Sequence, residues 1–405
     1  MNTIDKDDTE SQLERLLSES LESVRERQRE TLGQIIGGEQ TPFVLFGAGG
    51  LGRQVLPVLQ AAGLSPLAFL DNNPALWGSY IDGVEVLGPA QLAERMAGRL
   101  PAVVASIGAV RVGTCHLDQW RAPLRALGFQ RIALFGHLAW RFPQLLPYQC
   151  LDLPERVLAE ADRVRAAFHL LADEASRRLY VAHVAWRLTL DSEVLPSEDG
   201  EAIYFSDRFS RRDDAEVLYD VGAFNGDSIL GYLESGRRYR EIHSFEPSTG
   251  NFSQLQNTIA RLAETGYGDL HAHLLAVGDH EGSIAIDSGG GHTLQVGEGD
   301  EMVPMTTLDA LAESLPPPSL IKMDIEGFEP QCLAGGSRLI AQKQPMLAVC
   351  AYHEQDHLWR LLLQIHAYRA DYRFMLGQHL YDRAWDIVLY ALPENRLPRE
   401  PNDEC

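Results

Sequence analysis

Apolar runs alternate with amphipathic stretches along most of this chain, and the two periods divide it into elements. Over 9–36, Leu13, Leu16, Leu17, Leu21, Val24, Leu32, Ile35 and Ile36 recur on one side among Glu and Arg, which predicts a helix. Gln28 interrupts that stripe, so packing on its own domain is favoured over a long coiled coil or dimerisation helix. Apolar strands follow at Pro42-Phe43-Val44-Leu45-Phe46, Leu67-Ala68-Phe69-Leu70, Pro101-Ala102-Val103-Val104-Ala105-Ser106 and Arg131-Ile132-Ala133-Leu134-Phe135, with a helix after the first to about Ala62. This alternation predicts a small parallel sheet under covering helices. Residues 153–190 read as helices, and 196–214 as a polar connection. Seven further strands are predicted at 216–221, 241–246, 271–277, 319–324, 346–350, 372–376 and 386–391, with helices between most of them. The last two lie too close for a helical crossover and are expected to pair antiparallel.

The predicted fold class is α/β, a seven-stranded Rossmann-like sheet in the C-terminal part and a smaller Rossmann-like domain before it. The expected division is an N-terminal helix at 1–38, the smaller domain at 39–150, a helical linker at 151–214, the larger domain at 215–395 and a tail at 396–405.

Composition narrows the partners. A net charge of −22 over 405 residues argues against non-specific affinity for nucleic acid or an anionic membrane. No apolar run approaches the roughly 20 residues of a membrane span, and the N-terminus is polar and acidic, without a visible secretory signal. Cys115, Cys150, Cys332, Cys350 and Cys405 are scattered, without metal-type or disulfide spacing, the pattern of reduced thiols in a cytoplasmic protein.

The richest chemistry follows the strand at 216–221. Asp220-Val221-Gly222-Ala223-Phe224-Asn225-Gly226-Asp227 is a glycine loop ringed by acids, and Glu246 ends the next strand. Strand, glycine loop, helix, strand and acid is the order in which an α/β sheet holds a nucleoside whose ribose needs a carboxylate acceptor. The loop is too acidic for a pyrophosphate, whereas S-adenosylmethionine carries both a ribose and a positive centre. Asp220 is expected to accept from the ribose or the ammonium, and Glu246 from both ribose hydroxyls. Gly222 and Gly226 allow close backbone approach, and Asn225 and Asp227 complete the loop. Asp279, after a third strand, would meet the adenine amine. Lys322-Met323-Asp324-Ile325-Glu326-Gly327 ends the fourth strand, beside the site of reaction.

These segments resemble the FkbM family of S-adenosylmethionine-dependent methyltransferases over roughly 168–395. The resemblance rests on Leu171-Ala172-Asp173-Glu174-Ala175-Ser176, the 219–227 loop, Phe245-Glu246-Pro247, Thr306-Thr307-Leu308-Asp309, the 321–329 run, Tyr352-His353 and Asp386-Ile387-Val388-Leu389-Tyr390-Ala391. It implies the class I methyltransferase fold and methylation of a hydroxyl on a sugar, glycan or polyketide. Such a transfer needs an aligned acceptor and removal of a proton. His353, Asp324 and His292 are the candidate bases, His353 because an ordinary histidine pKa suits the task. Asp324 and Glu326 could equally position substrate or hold a divalent cation, but two carboxylates do not amount to a metal site. Lys322 either acts or neutralises them.

In the first domain, Gly47-Ala48-Gly49-Gly50-Leu51-Gly52 lies between a predicted strand and helix, and Asp71 follows Gly52 by 19 residues. That is the context of a dinucleotide fingerprint, with Gly47, Gly49, Gly52 and Asp71 as binding residues and the helix N-terminus available to a pyrophosphate. Phe69-Leu70-Asp71-Asn72-Asn73-Pro74 and Gly83-Val84-Glu85-Val86-Leu87-Gly88-Pro89 resemble nucleotide-sugar-binding N-terminal domains of sugar-modifying acetyltransferases. Three readings stay open for this domain: an NAD(P) or nucleotide-sugar site, a docking or assembly scaffold, and a second enzyme. The competing reading for the whole chain is an NAD(P)- or nucleotide-sugar-binding protein with a non-catalytic methyltransferase-like half.

Overall fold

A computed structural model describes residues 8–38, 41–96, 98–107, 117–148, 150–196, 203–206, 216–286, 299, 301–379 and 386–397. Its contacts separate two compact units. The first comprises Met1–Ala161, Ala182–Pro196 and Tyr381–Trp385, and the second Asp162–Val181, Ser197–Leu380 and Asp386–Cys405.

The first unit holds six strands: β1 (Phe43–Phe46), β2 (Phe69–Leu70), β3 (Tyr80–Ile81), β4 (Val84–Leu87), β5 (Ala102–Ala105) and β6 (Ile132–Ala133). They are ordered β3-β4-β2-β1-β5-β6. All neighbours are parallel except β3 and β4. Every residue of β1 and β5 is buried, as expected for parallel strands covered on both faces. The β3–β4 hairpin was not anticipated. Its turn residues, Asp82 and Gly83, both have positive φ, the two-residue Asp-Gly turn that suits a hairpin. The strand expected at 131–135 is shorter, because a helix already begins at Phe135 (Phe135–Arg141).

The single helix expected over 9–36 is two, Thr9–Leu17 and Leu21–Ile36. Ser20 makes the break: its side chain accepts from the Ser23 N–H at 3.1 Å, capping the second helix. Gln28 stays helical, and its Nε2 donates to the Trp140 carbonyl at 3.2 Å. Leu32 and Ile36 belong to the core formed with Leu45, Val55, Leu56 and Phe69, so this end of the apolar stripe is used within its own unit.

The second unit is built on β7 (Glu216–Val221), β8 (Tyr239–Phe245), β9 (Leu270–His273), β10 (Ala276–Gly278), β11 (Gly282–Ile286), β12 (Glu301–Thr307), β13 (Leu320–Met323), β14 (Met346–Cys350), β15 (Arg373–Gln378) and β16 (Ile387–Leu392). Seven of them form one sheet, ordered β15-β16-β14-β13-β7-β8-β9. It is parallel apart from β16, which runs antiparallel to both β14 and β15. The chain winds outward from β7 through β9, then returns to the other side of β7 as β13. The crevice beyond the carboxyl ends of β7 and β13 is therefore the topological switch point, where open α/β sheets bind ligands.

The strand expected at 271–277 is divided. β9 ends at His273, and β10 joins β12 and β11 in a separate three-stranded sheet. The break occurs where the chain crosses Glu246, whose N–H donates to the His273 carbonyl at 3.1 Å and whose carbonyl accepts from the Leu275 N–H at 3.3 Å. In the helical segment ahead of the sheet, the Ala172 N–H donates to the Phe374 carbonyl at 2.8 Å, and Ser176 Oγ accepts from the Leu376 N–H at 2.9 Å. Residues expected to be linker thus bind the edge strand β15.

Candidate active site

The fully buried β7 delivers Asp220 to the switch point with no solvent exposure. Gly222 follows with φ +81, and a Cβ there would lie 1.8 Å from the Asp324 carbonyl oxygen. Only glycine permits β7 and β13 to end this close together. Phe224 also has positive φ, +47, and Gly226, φ +92, caps the helix Asp227–Glu234. Asn225 holds the turn, its Oδ1 accepting from the Asp227 N–H at 3.2 Å and its carbonyl from Thr258 Oγ1 at 2.8 Å. Asp227 itself is exposed.

Glu246 is buried at the end of β8. Oε2 accepts from the Phe224 N–H and Oε1 from the Ser248 N–H, each at 2.9 Å. One carboxylate therefore fixes the glycine loop to the second strand; with Asn251 as a third donor, the carboxylate keeps room for one more. Burial raises its pKa, against the pull of the two N–H groups.

Lys322 lies beneath this loop. Its Nζ is 3.1 Å from Asp220 Oδ1 and donates to the Gly222 carbonyl at 2.5 Å. It also sits 5.3 Å from the centre of the Tyr204 ring. Burial opposes its charge, but Asp220, Asp324 and Asp227 outweigh that effect and raise its pKa. Lys322 is thus a buried cation, and of the two roles open to it the geometry favours neutralising the acids. Burial pushes the Asp220 carboxyl up, with Lys322 pulling it back.

Beyond β13 the chain turns through Glu326 and Gly327, both at positive φ, into the helix Glu329–Gly335. The turn gathers Asp324, Glu326 and Glu329 around His353. The His353 Nδ1 is 2.8 Å from Glu329 Oε1, while Nε2 is 3.2 Å from Asp324 Oδ1 and 3.7 Å from Glu326 Oε2. Burial alone would lower the imidazole pKa, but Glu329, Asp324 and Glu326 raise it well above the ordinary value. The expectation of a histidine titrating near its ordinary value is corrected: His353 is an imidazolium clasped by carboxylates, so its lone pairs are spent.

Asp324 is the reverse case. Burial would raise it, but His353 and Lys322 hold it well below the usual carboxylate range. Its oxygens also accept from Tyr204 Oη at 2.9 Å and Tyr352 Oη at 3.4 Å. Glu326 differs. Burial, Asp324, Glu329 and Glu246 push its pKa to about 7, opposed by His353. It is the group here that exchanges a proton near neutrality.

Two of these residues escaped the sequence reading. Tyr204 lay in a stretch read as connection. Glu329 was quoted only as part of a motif, although its position three residues after Glu326, at the start of a helix, was a usable signal. Asp279 is placed elsewhere than expected. It follows β10 in the three-stranded sheet, is exposed, and pairs with His280 Nδ1 at 2.7 Å. His292 lies outside the described residues.

The first unit's glycine loop has its own geometry. Gly47 has φ +112, and a Cβ on Gly52 would lie 2.1 Å from the Gly47 carbonyl oxygen, so both glycines are required by a tight strand-to-helix turn. Gly49 caps the helix Gly50–Ala61, with open space beside Gly49 and Gly50. Asp71 binds the loop, accepting from the Ala48 N–H at 2.9 Å and the Asn73 N–H at 2.8 Å.

Residues 220–374 match the family model of the methyltransferase FkbM domain. Among solved structures, the chain is similar to the crystal structure of methyltransferase FkbM from Methylobacillus flagellatus KT. That match has 22% identity and a TM-score of 0.73, over 95% of this chain and 100% of that one. Precorrin-6y C5,15-methyltransferase from Geobacter metallireducens GS-15 aligns at 10% identity over 50% of this chain and 96% of that one. Its TM-score is 0.32. No curated protein matches.

Proposed function

We propose, from the match of residues 220–374 to the methyltransferase FkbM domain, that the chain O-methylates a hydroxyl of a sugar, glycan or related small molecule at the switch point of the second unit. The observation that carries the reading is Glu326, a half-buried carboxyl 3.7 Å from His353 Nε2, pushed by burial to a pKa of about 7, beside a cradle whose buried Lys322 is already paired.

S-adenosylmethionine, when bound, supplies a methyl activated by a sulfonium. The residues present fit it. Gly222 leaves no room for a side chain, and Glu246 offers its remaining acceptor position to a ribose hydroxyl. Asn225, Gly226 and Asp227 form the rim of the cradle, while Asp220 acts from beneath through its negative charge. Among the described residues, this crowd of carboxylates is faced by Lys322 and His353, a balance that favours a cationic ligand.

Glu326 takes the proton of the acceptor hydroxyl as general base. Asp324, held ionised, orients Tyr204, Tyr352 and His353 around that hydroxyl. The His353 imidazolium keeps the Glu326 pKa from rising further, so a large fraction of it is ionised at neutral pH. Asp279, exposed after β10, is kept as the candidate adenine contact.

In the first unit, the helix N-terminus at Gly49 and Gly50, without a side-chain cap and with open space beside it, supports a nucleotide site taking the diphosphate of NAD(P) or of a nucleotide-sugar. The decisive experiment is transfer of labelled methyl from S-adenosylmethionine to sugar hydroxyl acceptors by the full chain. Label in an ether of the acceptor is expected. Cofactor binding with label only on nitrogen or carbon acceptors would overturn the hydroxyl assignment.

A further inference from the structure

Away from the proposed catalytic residues, the second unit gathers three histidines and a glutamate on one face of neighbouring strands. Glu241, His243 and Phe245 alternate along β8, and the parallel register sets His271 opposite His243 and His273 opposite Phe245. The intervening Ile242, Leu270 and Ala272 belong to the apolar core on the other face. The imidazoles lie on the opposite face, where His243 meets the Tyr219 ring and His273 stacks on Phe245.

His243 is buried and held at both ring nitrogens. Its Nε2 lies 3.1 Å from Glu241 Oε2, and its Nδ1 lies 3.1 Å from His273 Nε2. The His271 ring stacks on it at 4.7 Å between centroids. One donor atom each from Glu241, His243 and His271 lie within 4.8 Å of one another.

We propose that Glu241, His243 and His271 bind a divalent transition-metal ion of the zinc type, with His273 as the outer hydrogen-bond partner that orients His243. Two imidazoles and one carboxylate form a ligand set that zinc adopts while keeping a position for water. Bonds of about 2.0–2.2 Å to a tetrahedral ion put its donors about 3.4 Å apart, so the His243–Glu241 pair, at 3.1 Å, is already close enough, and separations of up to 4.8 Å must close by at most about 1.5 Å. His271 is exposed and Glu241 half-buried, which leaves both free to turn and gives the ion a path in. His243 is the fixed ligand. With its Nδ1–H donated to His273 Nε2, the Nε2 lone pair faces Glu241, and an ion between them removes the repulsion of lone pair against carboxylate. A ligating histidine normally donates its other N–H in this way.

A second group, Glu329, His353 and His357, also meets the spacing for a metal. There His353 Nδ1 lies 2.8 Å from Glu329 Oε1 and Nε2 3.2 Å from Asp324 Oδ1, so this group belongs to the site already described.

The test is titration of the untagged full chain with Zn2+ by calorimetry, and with Co2+ by visible absorption. The parent chain is expected to bind Zn2+, and His271→Ala and Glu241→Gln each to bind one equivalent fewer. Co2+ should show a spectrum of nitrogen and oxygen ligands without thiolate charge-transfer bands. His273→Phe should keep the stoichiometry and weaken affinity by about 10–100-fold. His271 is exposed, so its variant is expected to fold, and an unchanged circular dichroism spectrum checks this. No Zn2+ binding by the parent chain, or undiminished binding by both His271→Ala and Glu241→Gln, would overturn the site.

Discussion

Lys322 Nζ lies 3.1 Å from Asp220 Oδ1, with both side chains withdrawn from water. The pair joins the ends of β7 and β13 at the point where the sheet reverses its winding, and it sets the charge beneath the glycine loop. Breaking such a pair costs more than the pair contributes, because one charge is left buried alone.

Lys322→Met is expected to destabilise the second unit by about 3–5 kcal/mol at neutral pH, read from urea denaturation. Burial already raises the Asp220 pKa, and losing Lys322 raises it further. A carboxyl whose folded pKa exceeds its unfolded value binds the proton more tightly when folded. Stability therefore falls as pH rises from the unfolded to the folded value. The deficit should shrink in mildly acidic buffer, and Asp220→Asn added to Lys322→Met should recover part of it. An undiminished deficit in acid would argue that lost packing, not charge, is responsible.

Gly222→Ala should unfold or severely weaken the switch point. Positive φ alone costs a non-glycine residue about 1–3 kcal/mol, and the Cβ would also lie 1.8 Å from the Asp324 carbonyl oxygen. A drop in Tm together with loss of S-adenosylmethionine binding is expected. Gly250→Ala, where the nearest atom to a new Cβ is the Ser248 Oγ at 3.8 Å, serves as the mild control.

Glu246→Gln removes the charge but keeps the shape. Hydrogen bonds to charged groups contribute about 1.5–3 kcal/mol, so S-adenosylmethionine Kd should weaken at least about tenfold. Calorimetric titration measures it, and unchanged affinity would disprove the ribose assignment.

The pH profile of kcat/KM should rise through an inflection near the Glu326 pKa of about 7, since the ionised form is the base. Glu326→Gln should abolish that inflection and cost about 10²–10⁴-fold in turnover. His353→Gln takes away the positive charge that lowers Glu326, so the inflection should move to higher pH. A profile shifted to lower pH would contradict the proposed electrostatic role of His353.

The strands were legible because burial writes itself into sequence as runs of apolar residues. β7 and β14 coincide with their expected ranges, and β16 runs antiparallel as its short approach requires. The hairpin at Tyr80–Leu87 was missed because its strands are short and Tyr80 is exposed. β9 and β10 were merged because nothing local shows that backbone bonds to Glu246 part them. In the site, Asp220, Glu246 and Lys322 were identifiable as chemistry at strand ends, but their partners were not.

By itself the amino-acid order determined the sheet, its glycine loops and the acids beside them, because periodicity and backbone freedom are local properties. Only the tertiary structure decided the protonation states. It brought Glu329 and Asp324 onto His353, making a candidate base into a fixed cation, and left Glu326 as the carboxyl that titrates near neutrality. Charge interactions act through space at a few ångströms, between residues such as Tyr204 and Asp324 or Lys322 and Asp220 that are about a hundred positions apart, and folding alone sets those distances.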